Sequence, residues 1–243
     1  MSNSISSLEE TVERLTGQMT LLGHLEEVKD RLVKCSIAVF ITTLISAAFT
    51  PQILQLLIEP YGQKLQVLGP TEGISIYFRV ALTAGLVLAM PVLVYQLFMF
   101  VMPGLEENEK RYVFWGVPAA TLLFVIGVSF SWFIMLPAAI GFLSSWQTDV
   151  FLQVWQSQKY IPFVTSVVFW IGVAFETPLI IFILAKLKIV TPRFLIQQWR
   201  FAVVIIAIAA AMITPTVDPF NMALVMLPLL ALYGLSILLS YLA

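Results

Sequence analysis

The sequence predicts an all-α integral membrane protein of six spans, and three observations carry that prediction. The chain is 60% hydrophobic and 11% charged, where soluble domains average roughly 45–50% and 25%. Its mean hydropathy is +0.95. The apolar residues are gathered in six runs, 32–49, 74–102, 112–136, 162–187, 199–213 and 219–242, and most of them match the ~20 residues a helix needs to cross a core of roughly 30 Å. The second run ends at Pro103-Gly104, where charge begins abruptly in LEENEKR, the way a spanning helix meets water.

The first thirty residues are a polar arm. Leu8, Val12, Leu15, Met19 and Leu22 recur at helical spacing, which makes an apolar stripe suited to lying on a membrane. A second stripe, Leu21, Leu25, Val28 and Leu32, leads into the first span and sets His24, Glu27 and Arg31 along a different face. Glu27 and Arg31 stand four residues apart, the favourable order for an intrahelical ion pair. The expected organisation is therefore an amphipathic arm over residues 1–30 and a single six-span domain over 31–243. There is no internal repeat, low-complexity tract or composition shift, and the acidic start lacks the pattern of a cleaved signal peptide.

The fifth and sixth spans are predicted to be short. Residues 199–213 reach only about 22 Å as a helix, and Pro228 interrupts the last run. Pro91, Pro118, Pro137 and Pro178 each remove a backbone donor within or beside a span and predict kinks. The segments 51–73 and 137–161 are long and apolar, with Ile53, Leu56, Phe142, Leu143, Trp146 and Trp155 among them. They are expected to fold as caps against the membrane.

Basic residues set the orientation. With a cytoplasmic N-terminus, ten of them (Arg14, Lys29, Arg31, Lys34, Lys110, Arg111, Lys186, Lys188, Arg193, Arg200) lie on the cytoplasmic side, against Lys64, Arg79 and Lys159 outside. That asymmetry obeys the positive-inside rule and puts both termini in the cytoplasm of a multi-pass protein of the plasma or inner membrane.

Three places hold acids that need explanation. In the loop after Pro103, Glu106 faces Lys110 and Glu107 faces Arg111 at helical spacing, while Glu109 has only Val113 four residues on. Glu109 is thus a carboxylate open to a cationic ligand, or else one more group of a solvated loop face. Glu176 lies within VVFWIGVAFETPLIIFIL, and a charge near mid-bilayer costs upwards of roughly 2.5 kcal/mol. It shares a helical face with Gly172 and Thr165 if the helix is continuous, which predicts a carboxyl on an open groove. A sealed carboxyl would instead need a fixed partner, for which Arg79 and Thr83 are the candidates at suitable depth. Asp218, in ITPTVDPFN, suits a turn before proline.

Inventory excludes several classes. One histidine and no Cys/His/carboxylate cluster rule out a zinc hydrolase site, so no metal and no cofactor are expected. No G-x-S-x-G elbow or glycine-rich phosphate loop occurs. A net charge of -1 with scattered basic residues argues against nucleic acid. The lone Cys35 in an apolar run is a packing residue. The protein is not expected to be an enzyme.

Four stretches together resemble one family. HLEEVKDRL (24–32), YQLFMFVMPGLEENEKR (95–111), FETP (175–178) and ITPTVDPFN (213–221) are similar, in order and spacing across nearly the whole chain, to TatC, the membrane receptor of twin-arginine protein translocation. The resemblance implies a glove-shaped, concave six-helix bundle that binds the twin-arginine signal peptides of folded preproteins at its cytoplasmic face. Expected partners are small single-span subunits of the TatA/TatB type, membrane lipid and further copies of the chain. By motif position, Glu27 and Glu109 would receive the paired arginines, with His24, Arg31 and Pro103 at the same edge. Glu176, with Pro178 and Thr165, would face partner helices. Asp218, Glu106 and Glu107 are secondary candidates. The alternative is an ion-coupled secondary transporter that uses Glu176 near the bilayer midplane.

Overall fold

The computed structural model describes residues 21–102, 110–145, 154–214 and 218–242. Their architecture is helical throughout, apart from one isolated parallel bridge between Gln66 and Gln156. Helix α1, Leu21–Ile58, runs 38 residues without a break through the expected boundary at residue 30. It packs along α2, Glu72–Val101. Thr42 Oγ1 on α1 donates to the Gly85 carbonyl on α2 at 2.8 Å. The approach is close because a Cβ at Gly85 would sit 2.6 Å from Thr43 Cα. The opposite face of α1, including Ile37, Phe40, Leu44 and Phe49, is exposed and suits contact with lipid chains.

Prolines shape the fold through the carbonyl each leaves unbonded four residues upstream. Pro51 lies inside α1, so the Ala47 carbonyl lacks its helical donor; the Tyr77 hydroxyl of α2 donates to it instead. Met99 lies in the last turn of α2, where carbonyls lack an intrahelical donor, and its carbonyl receives Arg31 Nη2 at 2.8 Å. In each case the neighbouring helix supplies the missing bond.

Helix α3, Lys110–Phe130, passes through a π-helical turn at Ser131–Met135 into α4, Leu136–Ser145. Leu136 N–H bonds the Ser131 carbonyl across that turn. The wider turn accommodates the Pro137 ring, which in a regular helix meets the Phe133 carbonyl. The segments expected to be caps from residues 51 and 137 are therefore helical as far as Ile58 and Ser145. Capping begins only beyond those residues, because Tyr77 and the π turn carry the helices past both prolines.

Helix α5, Ser157–Ala174, and α6, Thr177–Lys186, form the fourth span. A one-and-a-half-turn helix, α7, Pro192–Gln197, precedes α8, Trp199–Ile213, and α9, Pro219–Ser240, follows. Among the described residues five helical spans are long and apolar enough to cross a membrane, and α8 is a shorter apolar helix. The fifth and sixth are the shortest, at 15 and 22 residues. Helix α9 packs on α6 and α8, and α5 packs on α2 and α3.

The interior falls into two clusters. One joins Val80, Leu136, Ile161, Val164, Ile171 and Val225 toward the end where α2 begins. The other joins Met90, Val94, Phe98, Ala120 and Phe124 toward the end where α2 finishes. At the first end a polar cap closes the bundle. Gln66 N–H donates to the Trp155 carbonyl at 3.0 Å, and Ser157 N–H donates to the Gln66 carbonyl at 2.8 Å. Tyr61 stacks on Trp155 with centroids 4.7 Å apart.

Candidate functional site

Two of the predicted sites hold a buried or half-buried acid, Glu27 and Glu176. The first is where the start of α1 crosses the end of α2. Arg31 Nε donates to Glu27 Oε1 at 2.9 Å and Nη2 joins the same oxygen as an ion pair. The guanidinium reaches on to the Met99 carbonyl and, at 3.4 Å, to Gln96 Oε1. The two side chains are 14% and 18% exposed, so the pair is half-sheltered. Glu27 Oε2 is buried and has no partner among the described residues. The carboxylate thus keeps unused acceptor capacity beside an engaged arginine. The i,i+4 spacing foretold the ion pair, while the anchoring to α2 is a tertiary contact that spacing does not show.

His24 lies in α1, but its side chain is outside the described residues. Pro103, Glu106, Glu107 and Glu109 are outside them too. The structure therefore brings together Glu27 and Arg31, and the loop with the other acids starts four residues after Met99.

The second place is the break in the fourth span. Pro178 cannot donate to the Ala174 carbonyl, and α5 ends there. Glu176 is the N-terminal flanking residue of α6, and its own carbonyl accepts Leu179 N–H and Ile180 N–H at 3.0 Å. Small residues hold this corner: a Cβ on Gly172 would come within 2.7 Å of Phe124, and one on Gly127 within 2.8 Å of Phe175. Phe175 also packs on Phe130, at 5.6 Å between centroids.

Glu176 is 4% exposed. This corrects the expectation of an open groove: the corner where α5 meets α6 is packed against α3, with Phe124 on Gly172 and Phe175 on Gly127, and the carboxyl lies inside it. Thr165 is buried as well, and its hydroxyl donates to the Ile161 carbonyl at 2.8 Å in its own helix. Gly172 is packed against α3. The stripe is therefore interior. Neither expected partner reaches the carboxyl: Arg79 Nη2 donates to Ser166 Oγ at 3.3 Å, and no bond from Thr83 to Glu176 is present. Glu176 Oε1 is buried without a partner among the described residues.

Asp218 caps α9. Its Oδ1 accepts Asn221 N–H at 2.7 Å and its Oδ2 accepts Asn221 Nδ2 at 2.9 Å, with Pro219 in the first turn. This is the turn chemistry its sequence context predicts.

Comparison with known proteins decides the family. A profile described as Sec-independent protein translocase protein (TatC) matches residues 23–228. The chain belongs to the TatC family. It is 37% identical over 232 residues to the Sec-independent protein translocase protein TatC of Deinococcus radiodurans, covering 90% of this chain and 85% of that one. The corresponding Helicobacter pylori protein is 34% identical over 220 residues, covering 90% and 87%. A crystal structure of the twin arginine translocase receptor TatC in DDM superposes with a TM-score of 0.83 at 33% identity, covering 89% of this chain and 99% of that one. The TatC chain described here is accordingly a membrane-embedded subunit of the Sec-independent translocase, and the family is not enzymatic. Membership sets aside the ion-coupled carrier reading of Glu176.

One acid escaped the sequence analysis. Glu72 is buried at the start of α2 and accepts Leu68 N–H at 3.1 Å, Gln156 Nε2 at 2.7 Å and Ser157 Oγ at 3.3 Å. It ties the cap segments together. Its only sequence signal is an isolated acid just ahead of an apolar run.

Proposed function

We propose that this TatC chain is the signal-peptide receptor of its translocase, and that the junction of α1 and α2 reads the paired arginines. The observation that carries the reading is Glu27: one carboxylate oxygen is held by Arg31, and the other is without a partner among the described residues. An incoming guanidinium, planar and always charged, fits such an oxygen better than a lysine ammonium does. Arg31 fixes the carboxylate in place. Glu109, on the loop that follows Met99, is the second reader, with His24 and Pro103 shaping the edge. Glu106 and Glu107 contribute background charge, and Asp218 stays structural.

One exposed ion pair contributes about 0–1 kcal/mol, so two carboxylates and an apolar segment docked on the bundle act together. The receptor reading requires the Glu27 end to face the cytoplasm, in keeping with the basic residues. Cysteines introduced at Asn108 and Arg193 in a Cys35-free background are then labelled only from the cytoplasm, and those at Gln63 and Gln158 only from outside. Labelling of Asn108 from outside removes the basis for the reading.

Glu176, beside Pro178, is the proposed contact for small single-span partner subunits of the TatA/TatB type; because its side chain is buried in the free chain, the corner at the helix break must open before a partner helix can donate a hydrogen bond to Oε1, which has no partner among the described residues. Self-association of the chain belongs to the same assembly. Photocrosslinking of a twin-arginine signal peptide to probes placed along 20–32 and 95–111 tests the receptor role. Crosslinks confined to other segments would refute it.

A further inference from the structure

A cavity of about 800 Å³ opens at the capped end of the bundle between α2, α5 and α8. Its walls divide by chemistry. Arg79, Lys159, Gln158 and Ser166 supply cationic and polar groups, while Phe163, Trp170 and Met212 supply an apolar slot. Arg79 stands seven residues into α2 from Glu72, inside the apolar run, yet is exposed, and its one recorded bond is the 3.3 Å donation to the Ser166 hydroxyl. Lys159 is exposed in the first turn of α5.

No carboxylate among the described residues lines this cavity. The nearby acid of the cap, Glu72, is buried and already occupied by Leu68, Gln156 and Ser157. Among the described residues, two cations therefore face a slot of membrane depth without a counter-charge. A cation set that far into an apolar run is costly unless an anion meets it, and the anion must also cover Phe163, Trp170 and Met212 with hydrocarbon.

From this charge complementarity we infer that the cavity binds an anionic phospholipid of the adjoining leaflet. The phosphodiester lies between Arg79 and Lys159, Gln158 and Ser166 hydrogen-bond the headgroup, and an acyl chain runs down the slot past Trp170 and Met212. Guanidinium matches a phosphate with two parallel bonds, and basic pockets between spans suit acidic headgroups. The site is independent of the signal-peptide edge, which lies at the other end of the bundle.

The test is native mass spectrometry of the full chain in detergent, titrated with phosphatidylglycerol or phosphatidylcholine. Retention of at least one phosphatidylglycerol, in clear preference to phosphatidylcholine, is expected. Arg79→Gln with Lys159→Gln should weaken that binding by roughly tenfold or more, since each basic group near a headgroup contributes about 1 kcal/mol. Arg79→Lys, which keeps the charge but not the two parallel bonds, should lose less than Arg79→Gln, which separates lost charge from lost folding. Lys64→Gln, a cation at the same end outside the cavity, should change nothing. Equal binding of the two lipids, an unchanged affinity in the double variant, or an equal loss with Lys64→Gln would overturn the inference. Displacement of phosphatidylglycerol by inorganic phosphate alone would also overturn it, by showing a plain anion site.

Discussion

Replacing Arg31 by glutamine tests the account of the α1–α2 junction. The substitution removes the ion pair to Glu27 and the charged bond to Met99. The pair is 14% and 18% exposed, between the exposed limit of about 0–1 kcal/mol and the roughly 3–5 kcal/mol for breaking a buried pair. A hydrogen bond from a charged donor, here to the Met99 carbonyl, adds about 1.5–3 kcal/mol. The expected total is about 2–4 kcal/mol. At roughly 2–4 °C per kcal/mol for a chain of this size, the midpoint of thermal unfolding in detergent should fall by about 5–12 °C. The double variant with Glu27→Gln should lose less than the sum of the two single variants, by about 1–2 kcal/mol. An unchanged midpoint for Arg31→Gln, or strict additivity in the cycle, would refute the claim that Arg31 organises this edge.

The remaining expectations are more local. Tyr77→Phe removes the donor that replaces the Pro51 bond to Ala47 and should cost about 1 kcal/mol, read as a drop of a few degrees in the same melt; restoring the loss by Pro51→Ala would confirm the cause, and no rescue would contradict it. Glu176→Leu should leave the fold intact or slightly more stable, because it replaces a buried carboxyl, one oxygen of which has no partner among the described residues, by an apolar group. The same variant should retain signal-peptide binding and lose export of a twin-arginine substrate together with crosslinking to single-span subunits. A variant that fails to fold while Glu176→Gln behaves as wild type would make Glu176 a structural residue.

Much of the fold is legible in composition and spacing, and what is hidden is tertiary. The six runs of apolar residues, the shortness of the last two spans and the Glu27–Arg31 pair all depend on local sequence. Continuity of α1 past Pro51 does not, because the rescuing hydroxyl of Tyr77 is 30 residues from Ala47. The same holds for Glu72, whose Gln156 partner is 84 residues away. Glu176 was recognisable as exceptional from its apolar neighbours. Its burial was not, since helical counting puts Thr165, Gly172 and Glu176 on one face but carries no information about whether α3 covers that face. Arg79 was legible as a cation at depth, but its neighbours in the cavity come from α5 and α8 and had to be seen in space.

The central claim is that two particular carboxylates, not a diffuse acidic field, read the arginine pair. It is tested most directly by the affinity of the purified chain for a twin-arginine signal peptide and for its twin-lysine counterpart, measured for four single variants. Glu27→Gln and Glu109→Gln should each weaken twin-arginine binding by roughly three- to tenfold, as expected for a lost charged hydrogen bond at a half-exposed site, and should erase most of the preference over lysine. Glu106→Gln and Glu107→Gln, whose acids already face Lys110 and Arg111 in sequence, should have smaller effects and keep the preference. Equal losses across all four variants, with the arginine preference unchanged, would contradict the claim.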